Sequence, residues 1–536
     1  MDSEYPPLPS SKAINASLQS ISLSDGEGIT QVSSRSETPS SVINEREPDS
    51  SYPCTQVIID SGDLILEYMS SKHRQTTPTR WRVASESLMQ SSPYFRALLD
   101  PDKFSEGRDF MKQRELHKLD VGPTANGGVA EFSGAPSPYQ NAFPTMRLPN
   151  NHLPPRLGSD TVGFFLKTLS SDSFNEGERE SFDAEVRAQR PSFIAGLIEI
   201  ADAFNSPDAV RQCLKRACYT FGKPKLPMTK FTSSMLRLNE DRIRQSIFIA
   251  KFLDERTVFK MLTHALIVTG SRFWVDGIEC PEPDTPSWHY FSDGLEEELH
   301  YRRQSVLNTI TDLQAHFLRI YGALEGPTPP GKPGTLALPN PPSASRQYQC
   351  RCGLGNSSAC DIFHLGQMTR FFSIRTKTIF IGSTLLDPDF NPDIEDTDAE
   401  AEAGTRPTDI TSVISLLKQC PDYQIDSNHM ACGIRRRFLP ALDCIEGFVG
   451  DERGLLGVNL NYWRREVSGD RGGGESNWPH IQGSWANPVH RRALVIDLRL
   501  SRITGIPLMS PGRLAAENRE EDARLLFTAK KRNWEA

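Results

Sequence analysis

Residues 55 to 107 read TQVIIDSGDLILEYMSSKHRQTTPTRWRVASESLMQSSPYFRALLDPDKFSEG, and this stretch carries the clearest structural pattern in the chain. Two short apolar runs, Val57 to Ile59 and Leu64 to Tyr68, flank the turn-forming residues Ser, Gly and Asp at positions 61–63. That arrangement predicts two strands joined by a tight turn. Farther along, Trp81 and Val83 alternate with arginines, which is the pattern of a third strand with one buried face.

Two short helices are predicted directly behind these strands. Ser85 is a good helix cap, and Leu88 follows it at helical spacing. Pro93 suits the first turn of a second helix, which carries Phe95. Strands followed at once by helices predict a small α+β module.

The order and spacing of this stretch resemble the BTB/POZ domain, particularly the divergent form common in filamentous fungi. The family pattern is a Gly-Asp pair before the first core strand, a Val-x-Ser-x-x-Leu run, a Ser-Pro-x-Phe helix start and a Phe-x-Glu-Gly loop. The matching residues are Gly62, Asp63, Val83, Ser85, Leu88, Ser92, Pro93, Phe95, Phe104, Glu106 and Gly107. The resemblance implies an α+β fold in which a small sheet packs against helices, and it extends to about Gly277, a little under half of the chain.

The BTB/POZ-like domain is predicted to span residues 53–222. The resemblance implies a further strand, which either Arg114 to Val121 or Thr145 to Pro149 can supply, and the Gly- and Pro-rich sequence near 121–145 is predicted to be a loop insertion. Apolar periodicity predicts a helix over Val162 to Leu169, followed by an acidic loop through Glu180. Two more helices are predicted to close the domain, one running on from Phe193 and one starting at Ser206-Pro207.

The remaining chain divides by composition. Residues 1–52 are rich in Ser, Pro and acidic side chains, which predicts a disordered tail. Residues 223–321 are predicted to form a helical extension, with helices over 240–269 and 295–321, the last being polar and solvent-facing on one side. A Pro-rich linker at 322–346 leads to a C-terminal, Cys-containing region of uncertain fold at 347–536, interrupted by an acidic linker near 387–406.

Composition and charge disfavour several functional classes. The chain has 536 residues, a net charge of -8 and no apolar stretch approaching a membrane span, and its N-terminus lacks the pattern of a signal peptide. These features predict an intracellular protein of the cytoplasm or nucleus without a membrane partner. The acidic balance and the shortness of the basic clusters make nucleic acid an unfavoured partner.

Cysteine and histidine cluster in the C-terminal region. Ten cysteines in an intracellular chain are expected to stay reduced, as free thiols or metal ligands. Zinc needs four such ligands, usually in pairs with short spacers. The candidate ligands are Cys350, Cys352, Cys360, His364, His429 and Cys432. No unique foursome follows from the spacing, and buried free cysteines with surface histidines remain the other interpretation, in which no cofactor is bound.

Sequence-local catalytic motifs are missing. GxSxG, HExxH and a GxGxxG that follows a strand are absent, and GPTPPGKP at 326–333 only imitates a phosphate-binding loop, since its prolines remove the backbone donors that cradle phosphate. We therefore predict a non-enzymatic protein.

Three functional hypotheses follow from this sequence. The first is a protein–protein interaction protein whose BTB/POZ-like domain forms a homodimer or binds another protein. The second is a substrate adaptor of a cullin-type ubiquitin ligase, because Phe104 and Glu106 stand where cullin-recruiting BTB domains resemble an apolar-x-Glu motif. The third is a zinc-binding nuclear regulator, or an enzyme without a recognisable local motif, seated in the C-terminal region.

Overall fold

The computed structural model describes most of the chain from residue 55 onward. The described residues are 55–69, 78–120, 143–149, 153–154, 156–222, 229–274, 278, 285–322, 349–350, 352, 356–376, 378, 409–430, 432–463, 484–485, 496–497, 513–529 and 532–534. The predicted tail at 1–52, almost all of the insertion near 121–145, the linker at 322–346 and the acidic linker near 387–406 therefore lie outside the described residues, apart from a few residues at their edges.

A mixed sheet of four strands forms from residues before position 148. The strands are β1 (Thr55–Val57), β2 (Leu64–Tyr68), β3 (Thr79–Val83) and β4 (Thr145–Arg147), in the order β1-β3-β2-β4. Strand β2 is antiparallel to β3, and the outer strands run parallel to their neighbours. The register pairs Leu66 with Trp81 and Leu64 with Val83, so the alternating apolar residues share one buried face. The predicted second and third strands are confirmed, whereas the first begins two residues earlier than predicted.

Helices make up most of the described structure. They are α1 (Ser85–Ser91), α2 (Pro93–Leu98), α3 (Ser105–Asp120), α4 (Ser159–Ser170), α5 (Glu176–Ala188), α6 (Pro191–Ala203), α7 (Pro207–Arg216), α8 (Glu240–Leu253), α9 (Arg256–Thr269), α10 (Leu295–Ile320), α11 (Ser357–Arg370), α12 (Ile410–Lys418), α13 (Arg435–Val449), α14 (Leu460–Trp463) and α15 (Arg513–Thr528). Two-residue strands, β5 (Ile496–Asp497) and β6 (Arg532–Asn533), pair in parallel. Among the described residues, no helix is both long and apolar enough to cross a membrane.

Three residues of the BTB/POZ-like pattern, Ser85, Ser92 and Pro93, lie at the starts of the first two helices. Pro93 opens α2 as predicted, and the Ser92 side chain accepts a hydrogen bond from Phe95 N. Ser85, in contrast, is the first residue of α1 rather than its cap. Its backbone N and its hydroxyl both donate to the Asp63 carboxylate, at 2.7 and 2.8 Å, which ties the turn before β2 to the helix after β3.

Two segments that were predicted as loops are helical. Ser105 to Gly107 of the Phe-x-Glu-Gly segment begin α3, and Arg114 to Asp120 end it. Strand β4 therefore supplies the further strand, and the Arg114 to Val121 alternative is wrong. The acidic segment before Glu180 enters α5 through a capping box, in which the side chains of Asn175 and Glu178 bond each other's backbone N–H. A polar cap satisfies the free backbone donors at a helix start, which explains a helix there without a strong apolar pattern.

Helix α10 packs one face against the rest of the chain and, as predicted, leaves the other side exposed, at Tyr301, Gln304 and Asn308 among others. Phe317 packs edge to face against Phe438 of α13, with the ring centroids 5.6 Å apart. Glu298 and Arg302 are buried and form an ion pair of 2.7 Å. Arg302 also donates to the backbone carbonyls of Leu456 and Gly457. The structure is thus mixed α+β and mostly helical, and a continuous apolar core links the N-terminal helices to those that follow residue 350.

Candidate metal centre

Two segments of the C-terminal region bring three thiols and one imidazole together. Cys350 and Cys352 precede α11, while His429 ends a short 3-10 turn and Cys432 follows it before α13. The donor atoms of these four residues all lie within 4.8 Å of one another. The first segment is held by Asp361 of α11, whose carboxylate accepts from the backbone N of Gln349 at 2.9 Å and of Cys350 at 3.1 Å.

Four of the six distances between the donor atoms are close to those of a tetrahedral metal site, and the other two are within 4.8 Å. Cys350 Sγ lies 3.4 Å from His429 Nδ1 and 3.7 Å from Cys432 Sγ. Cys432 Sγ lies 3.7 Å from His429 Nδ1 and 3.3 Å from Cys352 Sγ. Ideal zinc bond lengths in a tetrahedron place two sulfurs about 3.8 Å apart and a sulfur and a nitrogen about 3.6 Å apart. The cluster is therefore close to the size that a zinc-like ion requires.

The imidazole of His429 is fully buried and oriented by an amide. Its Nε2 lies 3.0 Å from Asn356 Oδ1, the residue that precedes α11. Because an amide oxygen only accepts, this contact selects the tautomer with the proton on Nε2. Nδ1 then presents its lone pair toward the thiols, and such an oriented ring nitrogen is typical of metal-binding histidines.

The thiols have unlike proton affinities. Partial burial raises the pKa of Cys350, but hydrogen bonds from the Cys352 backbone and the Ser357 side chain outweigh it, so that the pKa falls to about 7. A hydrogen bond with the Cys432 thiol raises the pKa of Cys352 to about 11. Metal coordination requires thiolates, so a bound ion displaces the protons that these thiols share.

The other predicted ligands differ from this group. Cys360 is fully buried and packs with Cys350 and Cys432, but it is outside the group of four. His364 is buried one helical turn later, against the Tyr321 ring, and its Nε2 has no hydrogen-bond partner among the described residues. His364 therefore supports the helix packing of α11 rather than the cluster.

The predicted partner-binding residues lie far earlier in the chain. Phe104 immediately precedes α3 and is 48% exposed. Glu106 lies in the first turn of α3, where its own backbone N–H and the Ser105 hydroxyl lower the pKa of its carboxyl. Gly107 is buried. A Cβ at this position would meet the Asp100 carbonyl oxygen at 2.5 Å, so the close approach requires glycine.

A cleft of about 710 Å³, which the sequence did not predict, lies between α9 and the segment that follows α13. Its charged side chains are largely paired with other charges, as in Lys230 with Glu452 at 2.9 Å and Lys260 with Glu520 at 2.7 Å. A cleft whose charges neutralise each other offers little to fix a charged ligand.

Asn356 and Asp361 support the metal centre and were also missed. An Asn before a helix is a recognisable cap signal, but nothing in the sequence links Asn356 to a histidine 73 residues away.

Comparisons of this chain with protein-family models, with curated proteins and with solved structures find no match.

Proposed function

We propose that this chain is a non-enzymatic protein–protein interaction protein, in which the BTB/POZ-like part, residues 53–222, binds a second copy of itself or another protein. The observation that carries the proposal is the surface of α3. Phe104 is 48% exposed and Met111, seven residues later and hence on the same side of the helix, is 36% exposed.

Helix α3 buries little within its own chain. Gly107 and Phe110 are its buried residues among those whose side chains are described, while Leu116 is 64% exposed. An isolated helix of this length is marginal in water, since most helical stability in proteins comes from packing of an apolar face. Burying Phe104 against a partner contributes roughly 1.5–3 kcal/mol, which is enough to matter in a protein interface.

Self-association and partner capture test this proposal together. The full-length parent, a Phe104→Ala/Met111→Ala variant and a Lys112→Ala control, which changes an exposed position of the same helix, are compared by analytical ultracentrifugation and by affinity capture. We expect the parent and the control to form the same dimer or to retain the same proteins, and the double variant to lose them. A parent that stays monomeric and retains no protein, or a double variant that behaves like the parent, would overturn the proposal.

A cullin-adaptor role is the narrower form of this proposal. It is supported by the exposure of both Phe104 and Glu106 at the start of α3. The apolar side chain is accessible to a pocket, and the exposed carboxylate, which already accepts from Ser105, is accessible to a further donor. The test is capture of a cullin scaffold by the parent and its loss on Phe104→Ala/Glu106→Ala, with Glu115→Ala as the matched control. Capture that ignores the double change removes the adaptor role and leaves the general one.

The third proposal is that the protein is a zinc-binding nuclear regulator. The zinc is bound in the C-terminal region, by the cluster of residues that precede α11 and α13. Three thiols and one imidazole whose donor atoms all lie within 4.8 Å of one another support zinc, because this ligand set is common in structural zinc sites. Elemental analysis of the full-length protein tests it, with a single zinc ion per chain as the expected content. Protein that is folded and free of zinc, and that takes up none on reconstitution, would contradict it.

A further inference from the structure

Five soft ligands, not four, meet at the candidate metal centre. Cys360 joins Cys350, Cys352, His429 and Cys432 in one cluster. The question of which four bind the ion rests on the proposed zinc binding and deepens it, because the answer decides whether the site is closed and what the fifth thiol does.

The geometry separates Cys360 from the other four. The donor atoms of Cys350, Cys352, His429 and Cys432 lie within 4.8 Å of one another, and Cys360 is not one of that group. Cys360 is instead buried beside Cys350 and Cys432 in the same packed cluster. A thiol in that position is a neighbour of two ligands, and its weak S–H donor suits a thiolate acceptor.

We infer that the ion is held by the sulfurs of Cys350, Cys352 and Cys432 and by Nδ1 of His429, with Cys360 packed against two of these ligands and outside the coordination shell. Four protein ligands fill a tetrahedral site, which is the arrangement of a structural zinc rather than a catalytic one. Asn356 acts as a positioning residue, because it holds the proton on Nε2 of His429.

The site fastens two distant segments to the end of α10. Cys352 and Cys432 are 80 residues apart in the chain. The Tyr321 hydroxyl, just past α10, donates to the Cys432 carbonyl at 3.2 Å and accepts from Arg437 at 2.6 Å. Arg437 also donates to the Gln349 side chain at 2.7 Å. A metal cross-link between these segments closes a long loop, which is where such a link restricts the unfolded chain most.

The first experiment measures zinc content and cobalt spectra of the full-length protein. Zinc per chain is determined for the parent and for Cys350→Ser, Cys352→Ser, Cys432→Ser and Cys360→Ser. We expect the parent and Cys360→Ser to hold a single zinc ion and the three other variants to lose it.

Cobalt(II) then reports the ligand set without relying on loss of binding. The thiolate-to-cobalt charge-transfer absorption grows with the number of bound thiolates. We expect the parent and Cys360→Ser to give the same intensity and His429→Cys, which supplies a fourth thiolate, to give a stronger band. An unchanged band in His429→Cys would overturn the role of His429 even if the serine variants fail to fold.

The outcomes separate this inference from the proposal beneath it. Zinc in the parent that is lost in Cys360→Ser but kept in Cys352→Ser leaves zinc binding intact and overturns the assignment of ligands. A parent that binds neither zinc nor cobalt overturns both.

The role of Asn356 has its own test. Zinc affinity is measured by competition with a chelator for Asn356→Ala and Asn356→Asp. Loss of a group that orients a ligand typically lowers metal affinity about 10- to 100-fold. We expect that loss in the alanine variant and near-parental affinity in the aspartate variant, which keeps an acceptor for Nε2–H. Equal affinities in both variants would show that Asn356 does not position His429.

Discussion

At the scale of the residue, Gly107 allows the backbone at Leu99 and Asp100 to pack closely against α3. A Cβ at this residue would lie 2.5 Å from the Asp100 carbonyl oxygen and 2.9 Å from the Leu99 carbonyl carbon. These are backbone atoms, which cannot rotate away as a side chain can. We predict that Gly107→Ala destabilises the protein by about 1–3 kcal/mol, measured as a lower urea midpoint in circular dichroism.

Gly366 of α11 provides the control, since a Cβ there meets nothing within 4 Å. Alanine is favoured over glycine within a helix by about 1 kcal/mol. Gly366→Ala should therefore leave the midpoint unchanged or raise it. Equal loss of stability in both variants would mean that the close approach at Asp100 is not the cause.

His264 gives the protein a pH dependence. Complete burial lowers the pKa of His264 from 6.5 to about 4. The hydrogen bond with the Val449 carbonyl, and to a lesser degree Asp451, oppose this lowering without cancelling it. The ring is satisfied as a neutral group, with Nε2 2.8 Å from the Val449 carbonyl and Nδ1 accepting from Leu456 N at 3.1 Å. The unfolded chain takes up a proton near pH 6.5 and the folded chain only near pH 4, so stability is lost as pH falls through this window.

Between pH 6.5 and 4, His264 is expected to lower the free energy of unfolding by about 3 kcal/mol. This loss is measured as the difference in urea-unfolding free energy between the parent and His264→Asn, which keeps a donor and an acceptor but does not titrate. The difference should grow in favour of the variant as pH falls. Parallel curves for the two proteins would show that His264 is not the group responsible.

At the scale of the element, α10 depends on a buried ion pair that its apolar pattern does not reveal. Glu298 accepts from Arg302 at 2.7 Å, from the Ser484 hydroxyl at 2.7 Å and from Trp485 N at 2.9 Å. Glu298→Ala leaves the Arg302 guanidinium buried without its carboxylate, and breaking a buried pair in this way costs about 3–5 kcal/mol.

The matched change is Lys112→Ala in α3, whose ion pair with Asp109 is exposed on both sides. Exposed pairs of this kind contribute about 0–1 kcal/mol. We expect Glu298→Ala to lower the thermal midpoint by several degrees and Lys112→Ala to leave it nearly unchanged. Similarly small shifts in the thermal midpoint from both changes would show that the buried ion pair of α10 does not contribute this stability.

The same elements show what could be predicted from sequence. Period-two alternation around Trp81 and the Pro93 start were readable because each depends on neighbours in the chain. Helix α3 was missed because few of its residues are buried and its sequence is mostly polar. Helix α5 was missed because it starts with a polar capping box rather than an apolar pattern. The metal ligands were recognised as residues, but the foursome depends on bringing together two segments 80 residues apart, which local spacing does not encode.

At the scale of the whole molecule, the C-terminal region packs into the helices before it. Phe231 N donates to the Glu452 carbonyl at 2.8 Å, and Val458 N donates to the Thr263 hydroxyl at 3.0 Å. His264 and Arg302 likewise take backbone partners from residues after 440. These contacts supply hydrogen-bond partners to polar groups in the helices before residue 322.

Removing residues 347–536 should therefore damage the part that remains. It would expose Phe317, which packs on Phe438, and leave the buried polar groups of α9 and α10 without their partners. We predict that a chain of residues 1–346 binds a hydrophobic dye and loses its cooperative thermal transition, whereas a chain lacking residues 1–52 behaves like the parent. A truncated chain with the parental transition and no dye binding would mean that the helices before residue 322 fold without the C-terminal region, and its contacts would then be docking rather than part of the core.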